Sequence, residues 1–441
     1  MRQSHWVLGA LLLLTSACGP NPEQTRAEET SEQPEPVEPG EATLVAEPVL
    51  EVREQAPGTP APEPEGEAVR NDESTAEPRA AVLNLASCLP VRERPATLYT
   101  GAGPLAALTV NDAVFTAGYI RRGGRDEVIV TRIQGNGAAR TVARGVLGES
   151  GSRGASAPPA LIAEPGSDRI QILAVDGTSR LLRSATVIGA RGAALAFTEI
   201  ATAVDSRFAP ALITRGSEIA AAWTQSGTPM KLSYSPSLLA SPMSVQDLVP
   251  VGGSASHPTF HATNRGIELY SVDARVGVSV LHRYPIRSNG SVMSPEVARP
   301  LLNLANPPQF EISLAGGEPH VAYAAVGSMA TAAVGIVALA QEGRLRPLSR
   351  GRGYGWVFVA AASDGRRSLF ALVKPDGEGR QDPRKLVLRQ YDGERLGPEQ
   401  ELVLGENRAQ HVAIAHLGEN DFAVAYTAGA AAEAVVFRCA D

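Results

Sequence analysis

Beyond residue 80 the chain alternates apolar and polar residues in short runs, separated by Gly, Asp, Asn and Pro. A period of two puts successive side chains on opposite faces of a strand, whereas a helix needs apolar residues at i, i+3, i+4 and i+7. No stretch of residues 81–441 keeps the helical spacing, so the pattern predicts an all-β fold. Residues 1–80 show no such alternation. An apolar run lies within residues 1–18, and a stretch rich in Pro and Glu fills 19–80.

The predicted strands recur as a unit. A first strand opens beside a proline or an aromatic residue, turns, and enters a second strand that carries an aromatic. Copies read PLAALTVNDAVFTAGY from Pro104, PALIAEPGSDRIQILAV from Pro159, PALITRGSEIAAAW from Pro210 and PTFHATNRGIELY from Pro258. Three more begin at Pro308, Trp356 and His411, and successive copies start 48 to 55 residues apart. Tyr119, Trp223, Tyr270, Tyr323, Phe370 and Tyr426 close the second strand, with Ala174 and Val175 in the remaining copy. Third strands are expected at 127–133, 277–282, 385–391 and 433–438, and fourth strands at 245–251, 296–302 and 399–404. Four strands at a period of about 50, repeated seven times, match a seven-bladed β-propeller. Six blades, or a pair of β-sandwiches, are the alternatives.

Residues 1–18 read MRQSHWVLGALLLLTSAC, with Arg2 ahead of an apolar core from Val7 to Leu14. That core is too short for a span of about 20 helical residues and reads as a signal peptide. The segment Leu14-Thr15-Ser16-Ala17-Cys18 resembles the lipobox of bacterial lipoproteins, with Thr15 where Leu is commonest. The resemblance implies cleavage before Cys18 and acylation of its thiol, making membrane lipid a partner. An ordinary secretory signal ending near Ala17 is the alternative. Gly19 in place of Asp implies, by that family's sorting rule, the outer membrane, facing periplasm or exterior. Residues 19–80 hold 11 prolines, no aromatic residue, and 16 acidic side chains against 4 arginines. Such a composition cannot bury enough apolar surface to offset its ordering entropy, so a disordered acidic linker is expected ahead of a domain at 81–441.

A ring of blades must join its ends or expose two sheet edges. The segment from Pro95 to Thr100 precedes the first unit where a fourth strand would lie, and the last unit stops after three strands. The amino-terminal segment is therefore expected to complete the last blade. With Cys18 lipidated on the lipoprotein resemblance, Cys88 and Cys439 remain as one pair, placed beside each other by this closure. A disulfide is expected, with two separate buried thiols as the alternative.

Charge divides in the same way. The net −7 combines −12 over residues 19–80 with +4 over residues 81–441 and +1 from Arg2. No chain-wide acidic or basic partner argument survives that division, and an exported near-neutral domain excludes nucleic acid as the expected partner. His257, His261 and His282 lack a cysteine or carboxylate at useful spacing, so no metal site is expected. Gly148 to Ser152 (GESGS) lacks the second glycine of a nucleophile elbow, and no phosphate loop is present. Asp-Gly pairs at Asp176, Asp364, Asp376 and Asp392 faintly resemble the Asp-box turns of sialidase-like propellers, but read better as two-residue hairpin turns. No catalytic residue and no cofactor are assigned.

Arg344, Arg346, Arg350 and Arg352 crowd an expected inter-blade connection. They form a candidate partner-binding patch for an anion or polysaccharide, against the alternative of a solvated loop. The reading is of a monomeric, lipid-anchored cell-envelope protein whose propeller binds or scaffolds a protein or glycan partner. The alternative is a hydrolase or lyase with a site assembled from several blades. Convergent Asp, Glu, His or Arg at the channel mouth would favour the enzyme, and an uncharged mouth would favour binding.

Overall fold

A computed structural model describes residues 88–440, apart from short interior segments, and all of these fall in one compact unit, Ala76–Asp441. The described residues form thirty strands and no helix. Strands β1 (Cys88–Pro90) and β2 (Ala96–Thr100) come first. Sheet 1 is β3 (Leu105–Val110), β4 (Ala113–Arg122), β5 (Arg125–Gln134) and β6 (Ala139–Glu149). Sheet 2 is β7 (Ala160–Ala163), β8 (Arg169–Asp176), β9 (Leu181–Ile188) and, after the two-residue β10 (Ala193–Ala194), β11 (Thr198–Ala201). Sheet 3 is β12 (Ala211–Arg215), β13 (Glu218–Trp223), β14 (Met230–Ser235) and β15 (Ser244–Leu248). Sheet 4 is β16 (Ala255–Ala262), β17 (Ile267–Arg275), β18 (Val278–Ile286) and β19 (Glu296–Leu302). Sheet 5 is β20 (Gln309–Ala315), β21 (Glu318–Val326), β22 (Thr331–Ala338) and β23 (Arg346–Arg352). Sheet 6 is β24 (Phe358–Ser363), β25 (Ser368–Pro375), β26 (Arg384–Tyr391) and β27 (Gln400–Leu402). Sheet 7 is β28 (Ala409–Gly418), β29 (Asp421–Ala428) and β30 (Ala431–Cys439), completed by β1 and β2.

Consecutive strands pair antiparallel within each sheet, and the first strands touch in the order β3, β7, β12, β16, β20, β24, β28 and back to β3. That cyclic succession is the arrangement of a β-propeller and excludes the pair of sandwiches. Strand alternation explains how each sheet serves two neighbours. In β25, Leu369, Ala371 and Val373 pack with Phe422, Val424 and Tyr426 of sheet 7, while Phe370 and Leu372 on the opposite face pack with Ala322 of sheet 5. In β29 the other face, Ala423 and Ala425, joins Val114 and Ile129 of sheet 1. Each large side chain removed from water this way contributes about 1.5–3 kcal/mol before entropy is counted.

The amino-terminal segment completes the last sheet as expected, in two pieces. β1 pairs with β30 in the register Cys88↔Cys439 to Pro90↔Phe437, and β2 pairs with it from Ala96↔Ala434 to Thr100↔Ala431. Val91 to Pro95 bulge out between them. Cys88 and Cys439 are joined by a disulfide. Tyr99 of β2 enters the junction of sheets 7 and 1, where a Cβ at position 118 would overlap its ring; glycine at 118 is what admits it.

Two sequence expectations change in detail. The aromatic closes the second strand in β13, at Trp223, but β4 runs past Tyr119 and β17 past Tyr270, and its facing differs between copies. Tyr119 packs toward sheet 2, whereas Trp223 packs back toward it. The Asp-Gly turns also differ from two-residue hairpins. Asp364 Oδ1 accepts from the amides of Arg366 and Arg367, and its Oδ2 accepts from the Arg367 guanidinium at 2.9 Å. Asp392 does the same for Glu394 and Arg395, so the working unit is Asp-Gly-x-Arg. Asp376 lies outside the described residues.

Candidate functional site

Among Asp, Glu, Lys and Arg the seven first strands carry only Arg215 and Glu311, with His257, His261, His411 and His416 beside them, amid mainly Ala, Leu, Ile, Val, Thr and Ser. An innermost wall of this kind gathers no paired carboxylates. Polar chemistry lies instead at the junctions between sheets.

The junction of sheets 1 and 2 holds a cleft of about 310 Å³. One wall is the end of β5 and β6, with Arg125, Val146 and Glu149; the other is the β8–β9 turn and β9, with Asp176, Ser179 and Arg183. Asp176 is buried and braces its own turn, its Oδ1 accepting from the amides of Thr178 at 3.0 Å and Ser179 at 3.2 Å. Gly148 of β6 faces this carboxylate, and a Cβ there would overlap it, so glycine is required for the close approach. Directly across from Gly148 on β5 stands Asp126, buried, with Oδ1 accepting from Arg121 and Oδ2 without a hydrogen bond. Tyr119 lies behind them. Its hydroxyl accepts from the Val175 amide at 3.3 Å, and burial, reinforced by Asp126 and Asp176, pushes its pKa well up.

The ion pairs of the cleft are loose. Arg125 stands 3.7 Å from Glu149, and Arg183 stands 3.9 Å from Asp176, both beyond hydrogen-bonding distance. Arg183 Nε has no hydrogen-bond partner, and Glu149 is exposed. Charge is balanced here while donors and acceptors stay unspent. The walls themselves are fixed. β10 pairs parallel to β6, and the buried Leu195 donates its amide to the Arg144 carbonyl at 2.8 Å, strapping sheet 2 to the outer edge of sheet 1.

A second cluster joins sheets 3 and 4. His257 sits at φ +56° in a bulge of β16, its ring edge-on to Phe208 at 4.5 Å and its Nδ1 3.0 Å from Ser256 Oγ. Asp205, two residues before Arg207, takes that guanidinium on both oxygens, which holds its carboxyl below the usual range. Burial lowers His257 to about 3, with Asp205 opposing and Arg207 assisting. A general base works best with a pKa near the operating pH, so this Ser-His-Asp grouping is unsuited to proton abstraction at neutrality. The same bulge breaks the alternation that would put His257 and His261 on one face. His261 instead stands opposite Glu268 in the ladder.

A third cluster is the fully buried Arg367, which donates to Asp364, to Gln390 at 3.1 Å, to Asn420 at 2.8 Å and to the Ala440 carbonyl. It ties sheet 6 to the carboxyl terminus. Burial alone would raise the Asp364 carboxyl, but the Arg367 and Arg366 bonds outweigh it and hold it low.

Of the sequence-derived site residues, Cys18 and Arg344 lie outside the described residues. Arg346, Arg350 and Arg352 are on β23, the outermost strand of sheet 5, opposite Ile336, Ala333 and Thr331, rather than on a connection. The cleft of sheets 1 and 2 was missed because its residues come from Arg125, Glu149, Asp176 and Arg183, which share no motif. The glycine at 148 was the available signal, read only as part of a failed elbow.

No protein-family model matches the chain, and no curated protein matches it. Solved structures do. An ulvan lyase, a polysaccharide lyase bound to a GlcA(1-4)Rha3S saccharide, is similar with a TM-score of 0.50 and 10% identity, over 79% of this chain and 96% of that one. The β-propeller domain of the Trilobed protease from Pyrococcus furiosus gives 0.44 at 9% identity, over 76% and 95%. AofleA from Arthrobotrys oligospora gives 0.43 at 9% identity, over 70% and 88%. Identities this low speak to the fold alone, and the fold is a β-propeller.

Proposed function

We propose that this chain is a binding module displayed from the bacterial cell envelope, a monomeric ring of seven blades, one per sheet, held by an acylated Cys18 and an acidic linker. Its partner is an envelope glycan or protein. The observation that supports this reading is the cleft between sheets 1 and 2, where rigid walls present balanced charges with unspent hydrogen-bonding groups. Association of that kind favours a preformed site, because ordering costs are met during folding. The carboxylates of the other two clusters are committed to arginine, and His257 is too weak a base for acid–base chemistry at neutral pH.

Mild crosslinking of native envelope followed by capture of the full chain tests the reading. A specific partner, recovered above an unrelated lipoprotein control, is the expected result. Absence of any partner, together with cleavage of an envelope polysaccharide by the purified chain, would replace it with the hydrolase or lyase alternative.

A further inference from the structure

We infer that the cleft between sheets 1 and 2 takes a neutral, hydroxyl-rich glycan end of one or two sugar rings, an inference that rests on the binding-module reading. Volume sets the size: about 310 Å³ lies at the small end of ligand pockets, which run roughly 300–1,000 Å³. Charge sets the chemistry. Arg125 is balanced by Glu149 and Arg183 by Asp176, so an anionic or cationic ligand meets one like charge for each opposite one. Hydroxyl groups both donate and accept, which suits this lining. Arg125, with more than half its side chain exposed, offers guanidinium donors, and Arg183 the part of its side chain that is not buried. Glu149, 82% exposed at its side chain, offers acceptor oxygens. Asp176 is spent on its own turn and serves as a brace for Arg183 rather than as a ligand contact. Val146, exposed on the same wall, supplies an apolar patch for the C–H face of a sugar ring.

The test uses the full chain in a detergent without a sugar headgroup, on an array of neutral and acidic mono- and oligosaccharides, with solution titration of the best binder. Saturable binding of a neutral saccharide is expected. Arg183→Ala should weaken it about tenfold, as for loss of a hydrogen bond to a charged group. Glu149→Gln, at an exposed strand end, should weaken it several-fold while leaving thermal unfolding unchanged, so that misfolding cannot account for the effect. The inference is overturned by the absence of neutral binders, by preference for acidic saccharides, or by affinity that both substitutions leave intact. If envelope capture still recovers a partner and Arg183→Ala does not disturb it, the binding-module reading stands and this ligand assignment falls.

Discussion

At the scale of single residues, His257 carries a pH signature with a definite sign. Its unfolded-state pKa is about 6.5, and burial lowers it to about 3 in the fold. Between those values the unfolded chain binds a proton that the folded chain does not. Stability is therefore full above about pH 6.5 and falls as pH drops toward 3, by at most about 1.4 kcal/mol per unit for one proton. His261, also lowered by burial, acts in the same direction. The His257→Asn substitution keeps a side chain that tolerates positive φ and should shrink the difference between chemical unfolding at pH 7 and pH 4.5; an unchanged difference would refute the assignment. His257 itself was visible in the sequence as half of HPTFH. Its environment was not, because a one-residue bulge in β16 and the arrival of Phe208 from the connection between β11 and β12 decide it.

At the scale of elements, the closing strand was legible and its detail was not. The residues PATLYT ahead of the first unit, and a last unit one strand short, foretold that β2 would pair with β30. The separate β1 was not foretold, since CLP has no alternation to detect. β1 nevertheless places Cys88 directly opposite Cys439, closing a loop of 351 residues. On the loop-entropy model that bond stabilises the fold by on the order of 5 kcal/mol. Cys88→Ser should lower the guanidinium midpoint accordingly, and reductant should shift the parent chain by the same amount while leaving the variant unmoved. Equal midpoints with and without reductant in the parent would show that the bond contributes nothing. Short apolar runs bounded by turn residues located most first and third strands to within a few residues, because a strand buried on both faces is apolar along much of its length. Turn form escaped, because the aspartate carboxylate accepts the amides two and three residues on and so braces a four-residue loop, at Asp176 as at Asp364 and Asp392.

At the scale of the whole molecule, the proposed display from the membrane makes Cys18 the point of attachment. Two or more acyl chains anchor stably where one does not, so Cys18→Ala should move the chain from the membrane fraction to the soluble one; undiminished membrane association would defeat the lipid reading. The sequence by itself determined the all-β class, the repeat of about 50 residues and the pairing of the chain's ends, since these follow from local periodicity and from the need to leave no sheet edge open. Only the tertiary structure decided where polar groups meet. Arg125, Glu149, Asp176 and Arg183 become neighbours because sheet 1 and sheet 2 pack face to face, Gly148 leaves room for a carboxylate, and β10 straps the two together. Proximity across a junction is a property of packing, and no linear spacing encodes it.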